Sequence, residues 1–286
     1  MISHPNVKIN LGLHVLGLRE DGFHNLESLL VPHFGLSDTL EIIEGGDASL
    51  TSAHLQENYA GPGGDDSLAQ AISPDGKVMI TIARRGGVDW EPLKDLSARA
   101  YMLLDAHFNL PPVKIYLEKT SPVGAGLGGG SADAAFALRM LSEMFSLNLD
   151  ENSLAHFASE LGSDCAFFIY NRPMFARGRG DELSPYNIDG VLANYQIKVV
   201  VPEGISVSTA EAYKGVKMRR RGTGESLEAA LSRPVGQWKE CLENDFEPSV
   251  FAANPELARI KQSLYDSGAI YAAMSGSGSA LFALMP

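Results

Sequence analysis

Residues 120–132 read Thr-Ser-Pro-Val-Gly-Ala-Gly-Leu-Gly-Gly-Gly-Ser-Ala, with five glycines in seven positions. Glycine suits places where backbone must take φ > 0 or come close to a ligand. Ser131 and the Ala-rich run Ala132–Leu141 predict a helix that begins where the glycines end. A helix N-terminus offers unpaired backbone N–H groups to an anion, so the stretch is expected to cradle phosphate. Phosphoryl transfer also needs charge neutralisation and, as a rule, a carboxylate that receives the hydroxyl proton. Asp164, flanked by Gly162 and Ser163 and followed by an apolar run, is the candidate base, with a turn or helix cap as the alternative. Lys8, inside the apolar Val7-Lys8-Ile9, is the candidate cation, with an outward-facing strand lysine as the alternative. In the catalytic reading its ammonium sits near Asp164 and the hydroxyl, keeping the carboxylate ionised and stabilising transition-state charge. Asn10 shares a strand face with Lys8 and is a candidate hydrogen-bond donor to substrate.

The glycine spacing excludes the commoner nucleotide loops. Gly124, Gly126 and Gly129 satisfy G-x-G-x-x-G, but a dinucleotide fold also needs an acidic residue about twenty positions on, at the end of the next strand. Here the following twenty residues read as helix. A Walker A loop places Lys after its last Gly, whereas Ser131 follows Gly130. No Val-Ala-Ile-Lys strand or His-Arg-Asp loop of a protein kinase is present. A packed strand-to-helix corner would need one or two glycines, not five.

Pro122-Val-Gly-Ala-Gly-Leu-Gly-Gly-Gly-Ser-Ala-Asp-Ala-Ala135 resembles the phosphate loop of the GHMP kinases, the superfamily of galactokinase, homoserine, mevalonate and phosphomevalonate kinases. Asn6–Leu11 is similar to the family's first motif, Leu161-Gly-Ser-Asp-Cys165 to its catalytic-aspartate segment, and Met274-Ser-Gly-Ser-Gly-Ser-Ala280 to its third motif, all in family order. Lys8-Ile-Asn10, Arg19–His24, Leu117-Glu-Lys119, Ser208–Tyr213 and Asn244-Asp-Phe-Glu247 bring the resemblance closest to one branch. That branch uses ATP to phosphorylate a hydroxyl of a cytidine diphosphate-linked polyol in the non-mevalonate isoprenoid precursor pathway. The resemblance covers most of the chain outside about 45–95. There the family often carries Asp-Asn-Leu near the adenine, and this chain has Lys94-Asp95-Leu96.

The resemblance implies an α+β, two-domain fold: a ribosomal protein S5 domain 2-like N-terminal domain over 1–186 and a ferredoxin-like C-terminal domain over 187–286. It implies ATP and Mg²⁺ as cofactors, and Asp164 taking the proton of a tertiary hydroxyl. Pro122, Val123, Gly124, Ala125, Gly126, Leu127, Gly128, Gly129, Gly130, Ser131 and Ala132 would line the ATP phosphates, largely through backbone N–H groups. Ser131 would reach a phosphate or Mg²⁺, cap the helix, or both. Lys119 would touch the nucleotide or a substrate phosphate. Asp133 is expected to serve the helix dipole from the first turn, with a metal ligand as the alternative. The resemblance names no further metal ligands. On the acceptor side Phe23 and Tyr213 would sandwich cytosine, His24 would bond its edge, and Thr209 and Asn10 would contact substrate.

The rest of the chain supplies the frame. It has 286 residues, 45% hydrophobic and 20% charged, with a formal charge of −12. That acidity argues against nucleic-acid and anionic-membrane partners. The basic run Lys217-Met-Arg-Arg-Arg221 is expected to be a solvated loop. Two cysteines and the lack of a secretory signal or long apolar run point to the cytoplasm, with the chain a monomer or weak homodimer. Strands are expected at Val7–Val15, Leu26–Val31, Thr39–Ile43, Val78–Ile82, Val113–Leu117, Ala166–Ile169, Met174–Ala176, Ala269–Ala273 and Ala280–Leu284. Ile197–Val201 is expected to be a well-buried strand. Helices are expected at Leu93–Phe108, about 131–146, Asn152–Leu161, Thr209–Tyr213, Leu227–Leu231, Val235–Leu242 and Pro255–Ser267. Gly45–Gly87 is expected to be a hairpin or excursion between strands.

Overall fold

A computed structural model describes residues 1–60, 67–216 and 225–286. The basic run Lys217–Arg221 and part of the Gly45–Gly87 excursion lie outside the described residues. The chain divides into two compact units of interleaved stretches. One takes residues 1–7, 34–122 and 129–171, and the other takes 8–33, 123–128 and 172–286.

The first unit holds a five-stranded sheet in the order β1 (Ile2–Ser3), β4 (Thr39–Glu44), β7 (Val113–Glu118), β6 (Val78–Ala83), β5 (Leu68–Ile72). The parallel pair β6–β7 is joined through helix α2 (Leu96–Phe108); the other pairs are antiparallel. α2 packs on α3 (Gly129–Met144), and α4 (Glu151–Leu161) and α5 (Cys165–Tyr170) complete the layer. Small residues permit this: Ala132, Ala134, Ala135 and Ala137 of α3 and Ala98 and Ala100 of α2 are all buried. Asp95 caps α2 by accepting the Ser97 N–H at 2.9 Å, and Asp150 caps α4 by accepting the Ser153 N–H at 2.7 Å. Asp95, in the Lys94-Asp95-Leu96 triplet, thus begins a helix.

The second unit carries two sheets. One runs β2 (Asn6–Leu18), β3 (His24–Ser37), β8 (Met174–Arg177), β9 (Glu182–Pro185). The other runs β10 (Gln196–Val200), β12 (Leu281–Met285), β11 (Tyr271–Met274), all antiparallel. Its helices are α6 (Asp189–Leu192), α7 (Thr209–Gly215), α8 (Leu227–Leu231), α9 (Trp238–Cys241), α10 (Glu247–Ala253) and α11 (Pro255–Asp266). Val15, Phe246, Leu257, Leu264, Met274 and Leu281 form one apolar core in this unit. Among the described residues no helix is long and apolar enough to cross a membrane.

Four expectations change. Ala166–Ile169 is the helix α5, not a strand; its whole apolar run is buried, so the run carries no period by which helix and strand differ. The Gly45–Gly87 excursion holds the expected hairpin, β5–β6, but adds a helix, α1 (Ser52–Tyr59). Ile197–Val201 is not deeply buried, because β10 lies at a sheet edge with its residues half-buried or exposed. α3 starts at Gly129, so Ser131 lies inside the helix and Asp133 is beyond its first turn.

Glu41 holds the approach to α1. It is 1% exposed, and its carboxylate accepts from the Ser49 and Thr51 hydroxyls and the Leu50 and Thr51 amides. Burial pushes its pKa up, but these donors outweigh burial and hold it below the ordinary value. A carboxyl depressed by folding adds stability above its unfolded pKa and loses it as pH falls through the folded one. We predict that the stability difference between the wild type and Glu41→Gln, measured by urea unfolding, is largest near neutrality. It should shrink once the pH falls below about 4. A difference that grows on acidification would contradict this.

Candidate active site

In the second unit, β2 and the loop 123–128 are stitched together. The Lys8 N–H donates to the Leu127 carbonyl at 2.9 Å, and the Ala280 N–H donates to the Ala125 carbonyl at 3.1 Å. Between them the Gly126 carbonyl accepts from Lys8 Nζ at 3.1 Å and from the Ser275 hydroxyl at 3.0 Å. Three consecutive carbonyls are therefore turned onto protein partners. In a trans peptide the N–H points opposite to the carbonyl of the same plane. The amides of Gly126, Leu127 and Gly128 accordingly point away from those partners, as an anion-binding nest requires. Positive φ at Gly124 (71°), Gly126 (78°) and Gly128 (75°) makes this possible. The buried Ala125 and Leu127 side chains anchor the loop between the glycines.

Lys8 and Asn10 share a face, as the spacing predicts. Lys8 Nζ donates to Asn10 Oδ1, and Asn10 Nδ2 donates to the Ser28 hydroxyl at 2.9 Å, which donates on to the Gly12 carbonyl at 2.7 Å. Ser275 closes the network by accepting the Asn10 N–H at 3.2 Å. Lys8, Asn10, Ser28 and Ser275 are all buried, so a charged group is satisfied inside the protein by geometry fixed on β2, β3 and the closing turn. The closing turn is in turn held by Asn244, whose amide donates to the Met274 and Gly276 carbonyls at 2.8 and 2.9 Å.

The acceptor-side residues fall in the same unit. The His24 ring stacks on Tyr213, centroids 4.6 Å apart and planes 22° apart, and Tyr213 meets Phe246 edge-on at 4.9 Å. Phe23 is 55% exposed, with the Arg179 guanidinium 5.2 Å from its ring centroid. Thr209, the first residue of α7, lies with its hydroxyl 3.0 Å from that of Ser277 in the closing turn. A polar-tipped aromatic cluster suits a flat heterocycle, which gains affinity from stacking.

In the first unit, Asp164 is half-buried at the N-cap position of α5, yet its side chain makes no capping hydrogen bond there. Its carboxylate therefore does not cap α5. Ser131, third residue of α3, hydrogen-bonds the thiol of the neighbouring Cys165. Burial pushes that thiol up to about 11, an effect the Ser131 bond partly offsets. Gly129, Gly130 and Ser131 form the first turn of a 16-residue helix, with Gly130 exposed and Ala132 buried. Pro122 precedes the loop, whose first residue in the second unit, Val123, is exposed.

Asp133 is not a surface partner of the helix dipole. It is fully buried and binds Lys119 Nζ at 2.6 Å. Lys119 also donates to Asp38 Oδ2 and to the Ser121 hydroxyl at 3.3 Å, so its three N–H donors are all engaged. Burial opposes the charge on Lys119, but Asp133 and Asp38 outweigh it and raise the pKa. Burial drives the Asp133 carboxyl well above its ordinary range.

The outward amides of Gly126, Leu127 and Gly128 suit an anion such as a polyphosphate. A Cβ at Gly126 would collide with the Ser275 carbonyl and come within 3.2 Å of the Gly278 amide, so the closing turn and the loop leave room for glycine alone. Among the described residues there is no group of three or more His, Cys, Asp or Glu arranged to hold a metal. Ser28, Ser275 and Asp38 were not singled out by sequence. Ser275 sits in the third motif, where its small size reads as turn chemistry. Asp38 is 81 residues from Lys119 and leaves no signal in spacing.

The GHMP kinase N-terminal domain matches residues 95–172, and the GHMP kinase C-terminal domain matches residues 226–286. The chain belongs to the GHMP kinase family. A relative from Bacteroides fragilis named 4-diphosphocytidyl-2-C-methyl-D-erythritol kinase is 44% identical over 285 residues, covering 99% of this chain and 92% of its own. A crystal structure of a 4-(cytidine 5'-diphospho)-2C-methyl-D-erythritol kinase is similar with a TM-score of 0.73 and 31% identity, covering 99% of this chain and 90% of that one. The mevalonate kinase of Methanococcus jannaschii shares the fold, with a TM-score of 0.64 at 14% identity over 100% of this chain and 90% of that one.

Gly126→Ala tests the cradle. It forces a side chain onto φ 78° and into the Ser275 carbonyl. We predict about 1–3 kcal/mol of lost stability and at least a roughly tenfold loss of tripolyphosphate binding by calorimetry. Unchanged binding would show that the loop backbone does not hold phosphate.

Proposed function

We propose that this chain transfers the γ-phosphoryl group of ATP to the 2-hydroxyl of 4-diphosphocytidyl-2-C-methyl-D-erythritol, in the non-mevalonate isoprenoid precursor pathway. The observation that carries the reading is full-length similarity to kinases of that name, in a chain that has Lys8, Asp164, Phe23, His24 and Tyr213 at the matching motifs. ATP, with Mg²⁺, supplies the phosphoryl group. The outward amides of Gly126, Leu127 and Gly128 and the first turn of α3 would hold its phosphates, and Ser131 would hold Mg²⁺ or a phosphate oxygen.

Asp164 receives the proton of the acceptor hydroxyl as that oxygen attacks phosphorus. Lys8 stabilises the negative charge that develops in the transition state. Its hydrogen bonds to Asn10 and the Gly126 carbonyl fix the ammonium in advance, so little reorganisation accompanies the reaction. Tyr213, Phe23 and His24 select cytosine by stacking and by edge hydrogen bonds, and Thr209 and Asn10 contact the acceptor. Selectivity of this kind is strong when the site's own polar groups would be left unpaired by the wrong ligand. The work is that of a cytoplasmic enzyme on small molecules, without a nucleic-acid or membrane partner.

Loss of a positioned general base or charge stabiliser lowers turnover by about 100- to 10,000-fold. Asp164→Asn and Lys8→Met are expected to show this loss in kcat, with circular dichroism and melting temperature close to the wild type for the half-exposed Asp164. Full activity in the Asp164 variant would overturn the assignment of the base.

A further inference from the structure

The loop's entry is fixed by a buried charge cluster that the chemistry above does not use. Asp38 is fully buried just before β4. Its Oδ1 accepts the Thr120 and Ser121 amides at 2.7 and 2.6 Å. Its Oδ2 accepts Lys119 Nζ at 2.5 Å and the Ser121 hydroxyl at 2.6 Å. Four donors from three consecutive residues thus converge on one carboxylate, at the point where β7 passes into the phosphate loop. Lys119 reaches from the same point to Asp133 on α3, fourteen residues further along the chain. The two ends of the loop, Lys119–Ser121 and Asp133, are therefore tied through one ammonium. The packing leaves no slack: a Cβ on Gly129 would strike the Ser121 hydroxyl and sit 3.4 Å from Lys119 Nζ.

We propose that Asp38, Lys119 and Asp133 form a clamp that positions the phosphate loop for nucleotide, and that Lys119 acts through the loop instead of contacting a phosphate. This rests on the kinase reading above. The engaged state of all three Lys119 donors supports it, because a fourth partner would have to displace one of them. The two carboxylates are not equivalent. Asp38 uses both oxygens, two donors on each, and an amide nitrogen in place of either oxygen would face N–H or O–H donors. Asp133 accepts one hydrogen bond, on Oδ2, and its buried Oδ1 has no partner. An amide oxygen keeps that single bond.

The test compares Asp38→Asn, Asp133→Asn and Asp133→Ala for binding of a non-hydrolysable ATP analogue with Mg²⁺, and for the KM of ATP and of the acceptor. Displacing a binding element by about 1 Å costs up to about 100-fold. Asp38→Asn is expected to weaken analogue binding and raise the ATP KM at least tenfold, with the acceptor KM unchanged. Asp133→Ala is expected to do the same, and Asp133→Asn to restore binding to near the wild-type value. Amide hydrogen exchange of Thr120 and Ser121 in the ligand-free protein should speed up in Asp38→Asn. If that variant does not fold, Ser121→Ala, which removes one donor to Asp38, gives the same split in smaller degree. Equal losses for both substrates, wild-type binding in Asp38→Asn or Ser121→Ala, or an Asp133→Asn as defective as Asp133→Ala would each overturn the clamp. A wild-type enzyme that binds the analogue but phosphorylates no acceptor would count against the kinase reading and leave the binding comparison decisive for the clamp.

Discussion

The structure depends on the orientation of three peptide planes. A loop that is to hold phosphate must face its amides outward, and the carbonyls of those planes must then find donors inside the protein. Here the Ala125, Gly126 and Leu127 carbonyls find the Ala280 amide, the Ser275 hydroxyl with Lys8 Nζ, and the Lys8 amide. Lys8 thus serves the loop twice, by backbone and by side chain. Lys8 and the loop 123–128 are parts of one hydrogen-bonded structure, so neither can shift without the other.

Such sites trade stability for order. A buried ammonium costs several kcal/mol in desolvation unless its hydrogen bonds are nearly all made. Lys8 meets this with an amide oxygen and a carbonyl, and Lys119 with two carboxylates and a hydroxyl. Of the two carboxyl partners of Lys119, Asp38 has both oxygens hydrogen-bonded and Asp133 leaves Oδ1 without a partner. Polar groups that contribute little to net stability are kept where geometry has to be unique. The apolar frame around them, the alanine-rich contact of α2 and α3 and the Val15–Phe246–Leu281 core, supplies the stability they do not.

Much of the site was legible because its chemistry is local. The five glycines announced a backbone that takes φ > 0, and three of them do. The i, i+2 spacing of Lys8 and Asn10 placed both on one strand face, where they now hydrogen-bond. Other features were hidden because they are long-range or lack a period. Asp38 meets Lys119 across 81 residues, and Ser275 meets Asn10 across 265, while Ser28 reaches Asn10 from the next strand. Asp133 read as a first-turn acid because the helix was expected to start at about 131; α3 starts at Gly129, and Asp133 faces the buried Lys119. α5 was misread as a strand because a fully buried run shows no alternation. The grouping of residues 8–33 and 123–128 with the C-terminal part of the chain follows from sheet pairing and loop stitching, which composition does not reveal.

Acceptor-dependent phosphoryl transfer to one kind of alcohol is the central property to test. The most direct measurement is coupled ADP release by the wild-type protein with ATP and Mg²⁺, offering 4-diphosphocytidyl-2-C-methyl-D-erythritol, homoserine and mevalonate in parallel. ADP release is expected to be rapid with the cytidine diphosphate-linked acceptor and at background with the other two. Release that is independent of acceptor, or that favours homoserine or mevalonate, would contradict it.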